Sequence, residues 1–482
     1  MMRNYSVLFA VAIGIIAFNV QAKELYVNAS TGNDSISYAN NNAATPWRTL
    51  GRAVWGSTSR TSPNGAEAAR AGDIVSIAAG TYSTNAVTNR RYDPIYNPVN
   101  SGSAGASIIF RAVGDVYLTA SAGAQPILGA YQKSYIVWDG FILNEANIPT
   151  TADTGPVTVW HSQHVTIQNA RIIGRVVNWG DNHVGIRVEV ASNITLANNV
   201  ISGFTEGFGM NEACIMTYDT AHSVFEHNEC FNATTGIFIK GDHADDSVPQ
   251  NGITLRNNYI HNVSNAIQFG GIGSAANLSM SYVYRNLIVD ATFGGVVFIG
   301  YDSVSPAKVI VANNTFHRVG LSGGNEGAAI LLRPGYSGYR DLTFRNNLVT
   351  DSSAGVAAWD TAFNANTSAT TFLHNNYYSN TTTAYIAYRA YSLSGWQNTF
   401  NKDTVGTSQL DPQYISSTDF RLASGSPLRT MGIDILDLNG NGSTSDTIPI
   451  GAYVTGNEVI GPTSTANISV APSPPTDIEI IR

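Results

Sequence analysis

Charge is the scarcest ingredient of this 482-residue chain: Asp, Glu, Lys and Arg together make up only 12% of it, 34 acidic residues against 26 basic. Neither sign gathers into a run that could track a phosphate backbone, so a nucleic-acid partner is not expected. Cysteine is just as sparse. Cys214 and Cys230 allow at most one disulfide, which an oxidising compartment would permit, or they serve as two small buried hydrophobes. Long apolar runs are missing after the first residues, so no membrane span is expected in the mature chain. The one such run, Val7 to Phe18, follows Arg3 and precedes Val20-Gln21-Ala22, the layout of a secretory signal. Residues 1–22 are therefore read as a signal peptide. A chain starting near Lys23 is expected to be soluble outside the cytoplasm, secreted or periplasmic, and to act as a monomer.

What the chain has instead is glycine and a repeat. Hydrophobic residues make up 43%, enough for a large core, and 45 glycines beside so few charges point to sheets and tight turns. Seven segments share the pattern apolar, any, polar, Asn, any, apolar. They are LANNVI, FEHNEC, LRNNYI, VYRNLI, VANNTF, FRNNLV and LHNNYY, and they align Asn199, Asn228, Asn258, Asn286, Asn314, Asn347 and Asn376 at spacings of 29, 30, 28, 28, 33 and 29 residues. An earlier coil, VTIQNARI at 165–172, fits the same frame.

Each repeat also holds a period-two run opened by Gly or Ala, usually about eight residues after the Asn. These begin at Gly185, Ala213, Gly236, Ala266, Gly295, Ala329 and Gly355. Their second and fourth residues face inward: Ile186 and Val188, Cys214 and Met216, Ile237 and Ile239, and so on to Val356 and Ala358. Each repeat is too short for a helix, which excludes a leucine-rich horseshoe and a βαβ barrel. A coil of two or three short strands pairing in parallel with the next coil satisfies the pattern, with the Asn stacked as a ladder at a corner and accommodating left-handed backbone there. The fold class read from the repeat is an all-β, single-stranded right-handed parallel β-helix, with coils of about 29 residues. It covers residues 23–455, and a flexible Ser/Thr/Pro-rich tail follows at 456–482.

In this frame the third and fifth residues of each run line an outer face. The third-position column is Thr158, Arg187, Ile215, Phe238, Gln268, Val297, Leu331 and Ala357. The fifth is Trp160, Glu189, Thr217, Lys240, Gly270, Ile299, Arg333 and Trp359. Asp219 and Asp242 follow the strands on neighbouring coils, about 4.8 Å apart, and KGDHADD adds Asp245 and Asp246. Converging carboxylates without basic partners repel one another unless they hold a hard cation, and calcium suits a flexible oxygen cage. Asp219, Asp242, Asp245 and Asp246 are the candidate calcium ligands.

A lyase cutting a uronic-acid glycan must neutralise the sugar carboxylate and then remove the C5 proton. Lys240 is the candidate base, Arg187 a bidentate carboxylate clamp and His243 a proton carrier. Trp160, Glu189, Gln268, Arg333 and Trp359 are candidate substrate contacts. Each has a plainer reading: Asp245 and Asp246 as loop solvation, Lys240 as an ion pair with Asp242 or Glu189, the two tryptophans as covered aromatics. Asp437 to Gly442 begins like a calcium loop but has Ile448 at position twelve, and is read as a turn. The insertion FTEGFGMNE before Ala213 can move that coil by one residue. Glu206, Asn211 and Glu212 would then neighbour Lys240.

The opening ELYVNASTGNDS with PWRTLGRAV, then AGDIVSIAAGTYS and NSGSAGASIIFRAV, resembles the N-terminal cap and first coils of secreted β-helix proteins of the pectate lyase-like superfamily. LDPQY, DFRLASGSPL and IPIGAY resemble the way those helices close. Lys240-Gly241-Asp242-His243 is similar to the basic residue and GDH or GNH of the chondroitinase-B-like alginate lyases, although this chain has Asp219 where that family places its catalytic Lys one coil earlier. The resemblance implies a carbohydrate-active enzyme, with an acidic polysaccharide as partner. A polysaccharide lyase is the first expectation. A glycoside hydrolase on the same carboxylates and a non-catalytic glycan-binding protein are the alternatives.

Overall fold

The computed structural model describes residues 22–88, 90, 92–121, 126–148, 155–175, 183–205, 211–241, 251–270, 278–299, 307–333, 340–359 and 369–463. Its strands form a parallel solenoid in which each coil pairs with the next. Thus Val224–Glu226 lies beside Thr254–Arg256, and Glu229–Lys240 beside Tyr259–Gly270 and then Leu287–Ile299. Strands alternate direction of side chains, so one residue in two enters the interior. Phe225, Cys230, Ile237 and Ile239 of one coil are fully buried, as are Leu255, Ile260, Ile267 and Phe269 of the next. The rings continue the stacking, Phe269 lying on Phe298 with centroids 5.4 Å apart.

The asparagine ladder is present, and its geometry is regular. The backbone N–H of Asn228 donates to Asn258 Oδ1 at 3.0 Å, and the Asn228 side-chain amide donates both to that same oxygen and to the carbonyl of Leu196 one coil back. Asn199, Asn258, Asn286, Asn314 and Asn347 repeat the set. The last rung is Asn375, not Asn376: Asn347 donates to Asn375 Oδ1, and Leu348 pairs with Asn376. Phe372 and Tyr377 are the buried residues of that coil, so its frame is FLHNNY and slips one residue from the LHNNYY reading. The left-handed backbone also sits elsewhere than expected. It belongs to the residue before each rung, namely Asn198, His227, Asn257, Arg285, Asn313, Asn346 and His374, all with φ between 53° and 58°. The rung itself is thereby freed to point its amide along the stack.

Both ends are closed. Leu50–Trp55 forms a fully buried helix over the first coils, started by Thr49, which accepts from the Arg52 N–H, and ended by Gly56 at φ 72°. At the other end the ladder runs into a carboxylate. Asp403 accepts from Asn375, Tyr377, Trp396 and Thr407, and its burial raises the carboxyl pKa above the ordinary value. Helix Leu393–Phe400 lays Trp396 and Phe400 over the final coil.

From there the chain turns back and runs along the ladder corner. His374 Nδ1 meets the Met431 carbonyl, Asn346 donates to Ile433, Asn313 to Pro449, and Arg285 to the Leu438 carbonyl. Gly461 donates to the Asn257 carbonyl and Thr463 to Asn198. Packing therefore continues past residue 455, where the tail was expected to begin, to Thr463. Cys214 and Cys230 are both buried and free. Among the described residues no helix is long and apolar enough to cross a membrane.

Replacing Asn258 by Leu would strip two buried donors of Asn228 of their acceptor. We expect a loss of about 2 kcal/mol or more in urea unfolding. Lys402, whose amine donates to the Thr370 carbonyl, has its pKa lowered to about 8 by burial. The folded chain sheds this proton at lower pH than the unfolded chain does. Stability should thus rise from pH 8 toward 9.5, and Lys402→Met should flatten that rise in thermal melts.

Candidate functional site

The outer face is set by one register choice. Strand Ala213–Ala221 pairs with Val184–Ser192 through Met216 opposite Arg187 and Tyr218 opposite Glu189. It pairs with Glu229–Lys240 through Met216 opposite Phe238 and Tyr218 opposite Lys240. Cys214, rather than Ala213, takes the small corner place of Gly185 and Gly236. The outward residues of this coil are therefore Met216 and Tyr218, while Ile215 and Thr217 turn inward, the reverse of the expected columns. The alternative frame raised by the FTEGFGMNE insertion is the one adopted.

Around Tyr218 two cations gather. Lys240 Nζ donates to Tyr218 Oη at 3.0 Å and to Asn211 Oδ1 at 3.2 Å, and stands 4.8 Å from the Tyr218 ring centre. The Arg187 guanidinium lies 4.7 Å from the same ring and 4.9 Å from the ring of Tyr92. Arg187 Nε also donates to Glu189 Oε2 at 2.8 Å, and the two residues are only 3% and 4% exposed. The carboxylate beside it raises the arginine pKa against the opposing effect of burial, which is the larger single influence. A buried pair of this kind holds its members in place, so Arg187 braces Tyr218 from one side while Lys240 hydrogen-bonds it from the other.

One coil nearer the N-terminus, Trp160 continues the column beside Glu189. It packs on Tyr131 at 4.8 Å and Tyr92 at 5.8 Å, and stays partly exposed. In the other direction the column passes through Gly270 and Ile299 to Arg333, whose guanidinium lies 4.8 Å from the ring centre of Trp359 on the next coil. Lys240 and Arg333 are three coils, about 14 Å, apart. Gln268 lies between Phe238 and Val297 and is fully buried.

Asp219 is buried at the corner with φ 44°, and the register sets it beside Gly241 rather than Asp242. Asp242, His243, Asp245 and Asp246 lie outside the described residues, as does Glu206. The segment GDHADD thus begins one coil from Asp219, and the oxygen donors fit a hard cation in kind. Among the described residues no three His, Cys, Asp or Glu side chains gather as a metal site.

Sequence reasoning found Arg187, Glu189, Lys240 and Trp160 on this face but missed Tyr218 and Tyr92. Treating Cys as a small corner residue equal to Ala would have exposed Tyr218. Tyr92 comes from a segment far upstream with no periodic signal.

Comparison with known proteins bears on the fold. Residues 208–376 match the family described as a right handed beta helix region. The pectate lyase Pel9A crystal structure superposes with a TM-score of 0.56, over 90% of this chain and 96% of that one, at 16% sequence identity. The fold is a right-handed parallel β-helix. A rhamnogalacturonan lyase is also similar, at TM-score 0.43 and 13% identity, over 82% of this chain and 91% of that one. No curated protein sequence matches. At these identities the likeness is one of fold, and the chemistry of this β-helix must be argued from its own side chains.

Arg187→Met would leave Glu189 charged and buried without its partner. We expect a stability loss of about 3 kcal/mol or more in denaturant unfolding, largely recovered when Glu189→Leu is added.

Proposed function

We propose that the protein is a polysaccharide lyase that cleaves an acidic, uronic-acid glycan by β-elimination. The observation that carries this reading is the Lys240–Tyr218 hydrogen bond, braced by Arg187 on the outer face of the β-helix. Elimination takes the C5 proton, opens the C4–O bond, forms a C4=C5 double bond and returns a proton to the leaving oxygen. An amine and a phenol in contact can carry out both transfers. Lys240 takes the C5 proton, Tyr218 gives its hydroxyl proton to the leaving oxygen, and the proton on Lys240 then passes to Tyr218 to restore the couple.

The Arg187 guanidinium lies against the phenol ring. It also steadies negative charge on the phenol while its proton is away. Trp160, with Tyr92 and Tyr131, offers a ring for a sugar to stack on, and Arg333 with Trp359 a second cationic contact farther along the face. Calcium belongs to the same proposal: held by Asp219, Asp242, Asp245 and Asp246, it would neutralise the sugar carboxylate and acidify C5–H. His243 remains a candidate proton carrier beside them. Export follows from the signal read at residues 1–22, and the N-terminus of protein recovered outside the cytoplasm should be Lys23.

Incubation with polygalacturonate, alginate and chondroitin, followed by absorbance of the unsaturated uronate, tests the reading. A rise on one substrate is expected, abolished in Lys240→Ala and reduced about a hundred-fold or more in Tyr218→Phe. Chelation should remove it and calcium restore it. New reducing ends without absorbance would instead make the protein a hydrolase, and binding without product a glycan-binding β-helix.

A further inference from the structure

The two cysteines of the chain depart from the repeat at two positions that face each other across one coil boundary. In the adjoining coils the corner is Gly185 or Gly236, and each looks onto an isoleucine of the next coil. A Cβ built on Gly185 would lie 2.6 Å from Cγ2 of Ile201, and one built on Gly236 would lie 2.6 Å from Cγ2 of Ile260. Between these two junctions the corner is Cys214, flanked by Ala213 opposite Val184 and Ile215 opposite Ile186. The isoleucine column there holds Cys230, which pairs with Ile201 on one side and Ile260 on the other. Cys214 and Cys230 stand sixteen residues apart, as Gly185 and Ile201 do.

The separation suits a covalent bond. Because Cγ2 is one bond from its own Cβ, the two Cβ atoms at such a junction lie within about 4 Å of each other, the distance that a disulfide bridges. Both cysteines are thiols in this structure and both are fully buried. Cys214 Sγ donates to the Ile201 carbonyl at 3.3 Å. Burial, and after it the hydrogen bond with Cys214, holds the Cys230 thiol well above the ordinary thiol range.

We propose that Cys214 and Cys230 form a disulfide in the exported protein and that this bond holds the coil of Tyr218 to the coil of Lys240. Closing the S–S bond removes two protons and two electrons from the pair. The oxidant is a second disulfide, of glutathione or of a protein, which takes them up and leaves as two thiols. A buried thiol that stays protonated does not attack a disulfide, so the exchange belongs to the folding chain, before the next coil closes over Cys214. The presence of such an oxidant rests on the signal read at residues 1–22, which sends the chain to an oxidising compartment.

The bond would secure the one register that local pattern leaves open. Cys214 lies on strand Ala213–Ala221 with Tyr218, and Cys230 on strand Glu229–Lys240 with Lys240. Sliding the first strand by one residue, so that Ala213 takes the corner, turns Cys214 away from Cys230 and Tyr218 away from Lys240 together.

The full chain, recovered from outside the cytoplasm of cells that express it, is unfolded in guanidinium with N-ethylmaleimide and weighed intact. We expect no maleimide adduct before reduction and two after it. Two adducts without reduction overturn the proposal. Should the chain stay in the cytoplasm, the signal reading fails by itself. The reduced, unfolded chain is then refolded in glutathione with glutathione disulfide and weighed in the same way, and an unlinked folded product overturns the disulfide. The double variant Cys214→Gly with Cys230→Ile copies the neighbouring junctions and so keeps their packing without sulfur. It should melt about 3 °C or more below the oxidised protein. Equal melting temperatures would mean that the bond holds nothing together, and would overturn the proposal as well.

Discussion

The interaction on which the rest depends is the buried asparagine ladder. Parallel pairing of short strands leaves every coil free in principle to slide on its neighbour by two residues without changing which faces are apolar. The rung forbids that slide. Each side-chain oxygen takes both a backbone and a side-chain proton from the coil before it, while each amide reaches back to a carbonyl of that coil. A displaced rung would bury all of these groups unpaired. The stack is directional as well, since every oxygen accepts from the preceding coil. It ends at Asp403, a carboxylate that can only accept in its charged form and that gathers four donors.

That constraint has a second use. Because the rung has ordinary backbone, the turn is made by the residue before it, and that residue's side chain is left at the corner. Asn198, Asn346, Asn313 and Arg285 spend theirs on the returning C-terminal segment. The corner that shapes each coil thus also ties several coils together along the long axis. A solenoid held only by contacts between adjacent coils has no such cross-link.

The outer face inherits its order from the same register. Once the rungs are matched, Tyr218 stands between Glu189 and Lys240, and the phenol meets the amine, with Asn211 just ahead of the strand as a second acceptor. The buried Arg187–Glu189 pair then serves geometry more than stability, since two charges removed from water gain little from each other beyond being held still. Gln268 differs, a fully buried amide in an otherwise apolar strip.

By itself, the sequence determined the architecture: coil length, the period-two interior and the corner asparagines are local patterns, repeated often enough for each copy to support the others. Arg187, Glu189, Lys240 and Trp160 could be set on one outer face for the same reason. Tertiary structure alone decided two things. In the coil of Cys214, Ala213 and Cys214 are both small enough for the corner, so local pattern is silent, and a choice of one residue turns Met216 and Tyr218 outward in place of Ile215 and Thr217. The same ambiguity between adjacent asparagines moved the last rung from Asn376 to Asn375. Tyr92 reaching Arg187, and the C-terminal segment reaching back to Asn198, join parts far apart in the chain, where no periodicity exists to announce the contact.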